Sequence, residues 1–211
     1  ANVTEEIKLG TGITLIAQRN PVVLAKEMGS LDVISSGRLL LGIGAGYLHQ
    51  EFSALGVDFS SRGAKTDESI EIIRALWNQT NPEYQGKFIQ FKNIQAQPRP
   101  IQAGGPPIII GGTSPAALRR TVTHGNGWYG FALGVETTKS VLENLEIAKS
   151  RYERDPNLGP ISISVTPPSR PNKAMMEEYA AIGVDRYIPI VASSDETSSL
   201  KYLDNLNNEL F

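Results

Sequence analysis

Short β-branched runs alternate with helical periods along most of this 211-residue chain. Strand-like runs read at Ile7 to Ile16, Leu39 to Ile43, Pro107 to Gly112, Gly127 to Leu133, Ile161 to Thr166 and Arg186 to Val191. Between them lie helical patterns. Asn20-Pro21 supplies a cap and a first-turn proline, Leu24, Met28 and Leu31 follow at helical spacing, and Ser35-Ser36-Gly37 ends the run. Thr66 reads as the cap of a second helix, with Asp67 and Glu68 in its first turn and Ile70, Ile73 and Trp77 as its stripe. Further stripes are Leu118 and Val122, then Val141, Leu145, Ala148 and Tyr152. Met176, Tyr179 and Ala180 make the next, and Leu203, Leu206 and Leu210 the last. Six βα units at this regularity imply parallel strands joined by right-handed crossovers. Two architectures satisfy that: an open doubly wound sheet, or a TIM-type (β/α)8 barrel here incomplete, with two strands missing at the N-terminal side. Residues 78–106 interrupt the rhythm with a hairpin-like stretch, Tyr84 to Phe91, and a proline- and glycine-rich return. We therefore expect a single domain over residues 1–211 with an excursion at 78–106.

Composition removes several function classes. A net charge of −2 with mixed signs gives no electrostatic footprint for nucleic acid or an anionic membrane. The chain has no cysteine, so disulfides and thiolate chemistry are absent, which fits the cytoplasm. Its two histidines, His49 and His124, are far apart and outside any zinc-type spacing. No apolar run reaches the roughly 18 residues of a membrane span.

Two strand ends carry the candidate chemistry. Gly44-Ala45-Gly46 closes the run Leu39 to Ile43, where glycines let a backbone approach a ligand closely. Gly42, Gly44 and Gly46 do not meet the dinucleotide spacing, because Tyr47 stands where a third glycine belongs. Plain strand–helix packing explains such glycines equally well. At Gly111-Gly112-Thr113-Ser114-Pro115 a strand ends in two glycines and a helix opens with a hydroxyl cap. The free amides and the positive end of the helix dipole make an anion site there, although Ser114 can also be no more than a cap. His49 reads as a surface or capping residue, His124 as a helix C-terminal cation, Arg62 and Glu68 as a local pair, and Arg119 and Arg120 as solvated helix face. Trp128 and Tyr129 read as packing groups.

Three segments taken together resemble the luciferase-like (bacterial luciferase-type) flavin and deazaflavin oxidoreductases. They are IKLGTGITLIAQRNPVVLAKEMGSLDVISSGRLLLGIGAG, LGVDFSSRGAKTDESIEIIRALW and PPIIIGGTSPAALRRTVTHGNGWYG. Their order and spacing cover roughly residues 5–130, nearest to the deazaflavin-dependent branch. The resemblance implies a (β/α)8 barrel whose third strand matches the first one here, so that the first two βα units, and the pocket loops they carry, are absent. It implies that Gly111, Gly112, Thr113 and Ser114 hold the phosphate of coenzyme F420 or FMN. It places Gly44, Ala45 and Gly46 against the ribityl chain and ring. It places Thr11 and Gly12 behind the ring, at a bulge that sometimes carries a non-proline cis peptide. The implied activity is hydride transfer or oxygenation on a small organic substrate, by a homodimer. The resemblance assigns no catalytic acid or base. The alternative is a flavin-binding or scaffold protein without turnover.

Overall fold

The computed structural model describes residues 1–170, 172–191 and 195–210, without the side chain of Leu210, so that part of the last expected stripe lies outside the described residues. The chain divides into two compact units, Ala1–Ile110 and Gly111–Phe211.

In the first unit the expected opening strand is broken in two. β1 (Leu9–Gly10) and β2 (Thr14–Leu15) both run parallel to β3 (Leu39–Gly44). Gly10 pairs with Leu40 and Thr14 with Ile43, so residues 11–13 face only Leu41 and Gly42. That is one residue too many on the outer side, which is a β-bulge. The Gly12–Ile13 peptide bond within it is cis. Thr11 fastens the bulge by donating its hydroxyl to the Gly42 carbonyl at 2.7 Å.

Helix α1 (Pro21–Ile34) starts where Asn20 accepts the Val22 and Val23 amides, and stops at Ser36 and Gly37, both with positive φ. Its buried Asp32 takes the Ile101 and Gln102 amides at 2.9 and 3.0 Å. A carboxylate on one helix thus anchors the return of the excursion. Helix α2 (His49–Ala54) is short, and α3 (Arg62–Asn78) is longer than the sequence suggested. Thr66 is not its cap. Asp58 instead accepts the Ser60 and Ser61 amides and starts a 3-10 turn that runs into α3, while Thr66 lies buried one turn inside. The Thr66 hydroxyl donates to the Arg62 carbonyl. The hairpin is β4 (Tyr84–Gln85) against β5 (Gln90–Phe91), antiparallel. Strand β6 (Ile108–Gly111) brings the chain back, pairing Leu41, Gly42 and Ile43 with Ile108, Ile109 and Ile110.

The second unit repeats the βα pattern: α4 (Pro115–His124), β7 (Gly127–Gly130), α5 (Val135–Arg151), β8 (Ser162–Val165), α6 (Lys173–Ala181), β9 (Arg186–Tyr187) and α7 (Glu196–Leu210). β7, β8 and β9 are parallel neighbours. Trp128, Ile163 and Val165 pack with Leu118, Val122, Val141, Leu145 and Tyr179 into one core. All three strands are shorter than expected, β8 by one residue at each end. β9 covers only Arg186–Tyr187, with one further bond from the Ile188 amide to the Val165 carbonyl. β7 ends where Leu133 turns back to the Thr166 carbonyl. Arg120 is buried, which corrects its reading as solvated helix face. Arg154 closes α4 by donating to the carbonyls of Val122 and Gly125, at 2.9 and 2.8 Å. Burial pulls its guanidinium below the usual arginine value, against the opposing effect of Asp155.

The described residues hold six main βα repeats, the pattern of an incomplete (β/α)8 fold. No described helix is long and apolar enough to cross a membrane.

Candidate functional site

The first unit explains its glycines by close packing. A Cβ on Gly42 would lie 2.0 Å from the Thr11 carbonyl oxygen, and one on Gly44 would lie 2.3 Å from the Ile13 side chain. The bulge therefore occupies the space that side chains on β3 would need. Gly46 has φ +83°, and its missing Cβ faces the ring of Phe52. So the glycine run is first a seat for the bulge and for Phe52; what it can still offer a ligand is main chain. Ala45 sits between these glycines and is half-buried.

Gly12 is different, since a Cβ there would meet nothing within 4 Å. It opens into a cleft of about 670 Å³ lined by Thr11, Gly12, Ile13, Gln18, Arg19 and Glu51 among others. Gln18 reaches Glu51 at 3.4 Å across it. Sequence reasoning missed Gln18, Arg19 and Glu51. Only the place of Glu51, five residues past Gly46, hinted at it.

The loop after the glycines is held from below. Arg62 donates to the Gly46 carbonyl at 3.2 Å and to the Phe59 carbonyl, and its guanidinium lies 3.8 Å over the Phe59 ring. Phe59 also meets Phe52 and His49, at 5.2 and 5.3 Å between centroids. Arg62 and Glu68 are thus not a local pair. The Glu68 carboxylate accepts the amides of Lys87, Phe88 and Ile89 at the tip of the hairpin. His49 is exposed and opens α2 against Phe59.

In the second unit, Ser114 caps α4 by accepting the Ala117 amide at 3.2 Å. Gly112 has φ +108°, a conformation that disfavours any side chain. Its carbonyl takes the indole N–H of Trp128 at 2.8 Å, and its amide bonds the Tyr129 carbonyl. Gly111 ends β6, and Gly112, Thr113 and Ser114 are exposed. In the first turn of α4, Pro115 has no N–H and Ala117 gives its amide to Ser114, so what the turn offers an anion is mainly the positive end of the helix dipole. Trp128, buried in the core, fixes the turn from behind. His124 ends α4, as its sequence position suggested. Tyr129 bonds Thr166 at 2.7 Å through its hydroxyl.

The model of the luciferase-like monooxygenase family matches residues 1–208. The chain belongs to that family. It is 35% identical over 127 residues to the oxygenase component of a flavin-dependent trigonelline monooxygenase from Acinetobacter baylyi, a match covering 59% of this chain and 35% of that protein. Among solved structures it is similar to the monooxygenase RslO1 of Streptomyces bottropensis, with a TM-score of 0.82, 20% identity, and 98% of this chain and 78% of that one covered. It is also similar to an F420-dependent secondary alcohol dehydrogenase, with a TM-score of 0.80, 15% identity and coverage of 100% and 81%. At these identities the likeness shows a shared fold. The chain spans less than half the length of the curated relatives it matches, 45% and 35% in two of them.

Proposed function

We propose that this luciferase-like chain serves a flavin-type oxidoreductase that works with FMN or the deazaflavin coenzyme F420. The observation that carries the reading is the pairing of family membership with two local fits. In the second unit, the exposed Gly112–Ser114 turn leads into the positive end of the α4 dipole, backed by the Trp128 bond to Gly112. That turn would hold the cofactor's phosphate. In the first unit, the Thr11–Gly12 segment opens into a cleft where a side chain at Gly12 would meet nothing. That segment would lie against the ring, with Gly44, Ala45 and Gly46 offering main chain to the ribityl portion.

The bound cofactor would supply the redox chemistry, passing hydride to or from a small organic substrate in the deazaflavin case, or activating oxygen for insertion in the FMN case. The protein's share is placement. Thr11 spends its hydroxyl on Gly42, so it holds the bulge and leaves the main chain of Gly12 facing the cleft. Glu51, Gln18 and Arg19 give that cleft its polar wall. Ser114 keeps α4 capped by accepting the Ala117 amide. A homodimer and a small-molecule substrate belong to the same proposal, which treats residues 1–208 as one luciferase-like region.

The test is a fluorescence titration of the chain with FMN and, separately, with coenzyme F420. Binding of one in preference to the other is expected, weakened at least severalfold in Ser114→Ala. Circular dichroism of a folded chain that binds neither would overturn the proposal.

A further inference from the structure

We propose that the cavity between α1, α3 and the hairpin of the first unit is a binding site for a small organic monocarboxylate. It holds about 310 Å³, at the lower end of the range for ligand pockets. Three fixed elements supply its walls. The Arg19 amide bonds the Ile16 carbonyl at 3.2 Å and Asn20 caps α1, which anchors that stretch on both sides. Lys65, Ser69 and Ile72 follow one another at helical spacing on α3 and so share one face. Phe88 comes from the hairpin tip, which the Glu68 carboxylate grips through its amides. The Lys65 ammonium lies 5.5 Å from the centroid of the Phe88 ring.

Two observations point to an anionic ligand there. Ser69 is 5% exposed, yet its hydroxyl makes no hydrogen bond among the described residues. A buried hydroxyl without a partner is unfavourable, and a group in the cavity that accepts from it removes that cost. The second observation is charge. Arg19 and Lys65 have no carboxylate partner among the described residues. Glu68, which also lines the cavity, gives its oxygens to three hairpin amides. Two cations against one carboxylate leave an excess of one positive charge, which a monocarboxylate cancels. Lys65 and Ser69 lie one turn apart, so one carboxylate accepts from both, with Arg19 as a third donor. Ile72, fully buried, and Phe88 meet the hydrocarbon body of the ligand, contacts that an inorganic ion has no use for.

The experiment is a calorimetric titration of the full chain, without cofactor, with benzoate, its neutral counterpart benzamide, and inorganic phosphate. Benzoate is expected to bind about tenfold more tightly than either, as charge-assisted hydrogen bonds and an apolar wall together favour it. Lys65→Met, which keeps the apolar stem, should remove the preference over benzamide. Ser69→Ala should weaken benzoate severalfold, and it keeps the test decisive if circular dichroism shows that Lys65→Met disturbs the fold. A wild-type chain that binds benzoate no better than benzamide would overturn the proposal. Phosphate bound as tightly as benzoate would overturn the organic carboxylate in favour of a simple anion. Arg19 also lines the Gly12 cleft, whereas Lys65 and Ser69 do not. Benzoate affinity lost in Arg19→Gln but kept in Lys65→Met and Ser69→Ala would therefore place the ligand in that cleft and overturn the cavity. Failure of the chain to bind FMN or coenzyme F420 would count against the oxidoreductase reading alone, since these titrations contain no cofactor.

Discussion

Replacing Gly42 by alanine would put a methyl carbon 2.0 Å from the Thr11 carbonyl oxygen, well inside contact distance. Main chain has to move, on one strand or the other. Overpacking of this kind costs about 1–3 kcal/mol, so Gly42→Ala should lower the unfolding free energy by about that amount and move the urea midpoint down with it, and an unchanged midpoint would show that the bulge yields freely. The glycines themselves were plain in the sequence, but their reason was not. The atoms that fill the space beside Gly42 and Gly44 belong to Thr11 and Ile13, about thirty positions upstream, and a strand read by itself cannot reveal what crosses it. Thr66 misled for the opposite reason. A hydroxyl ahead of two acids has the look of a helix start, yet Asp58 holds the earlier amides and places Thr66 a full turn inside α3.

At the scale of elements, alternation and period made the six main βα repeats legible, together with the hydroxyl-capped start of α4. Strand lengths were not, because they depend on where a ladder partner stops: β9 keeps only Arg186–Tyr187 beside β8, and the bulge splits the opening strand into β1 and β2. The junction of α3 with the hairpin was equally hidden. A single carboxylate, Glu68, takes three consecutive amides at 2.8 to 2.9 Å, and nothing in the sequence of either element foretells it. Glu68→Ala should release those amides. Hydrogen exchange at Lys87, Phe88 and Ile89 should then quicken, with a stability loss of about 1.5–3 kcal/mol, typical of hydrogen bonds to a charged group. If their exchange stays as slow as before, the hairpin is held by something else.

Across the whole molecule the titrating groups define a pH window. Burial pushes the Tyr187 phenol up to about 12, with Tyr179 and Tyr202 adding to the shift. Tyr179 is raised by burial and then by Glu178, and Tyr84 by burial and then by its bond to Glu71. Each is more readily ionised in the unfolded chain, near the usual value of about 10. The stability they contribute is therefore complete below pH ~10 and is lost as pH rises through the folded values. At the other end, hydrogen bonds from the Ser60 side chain and amide hold Asp58 below its ordinary range. Its contribution is present above the unfolded value of about 4 and disappears as pH falls through the folded one. Denaturation midpoints measured from pH 9 to 12 should fall, and Tyr187→Phe should flatten that fall. An identical slope in the variant would mean that Tyr187 ionises alike in both states. None of these shifts was readable in advance, since a tyrosine's burial is a property of the finished fold.

The grip of Glu68 on the hairpin has an evolutionary side. It recognises main-chain N–H groups, which every amino acid except proline provides at positions 87–89. The tip can therefore change its side chains freely between generations without changing its address. A surface segment of that sort works as an exchangeable cassette, open to new sequences while the fold beneath it keeps the same socket.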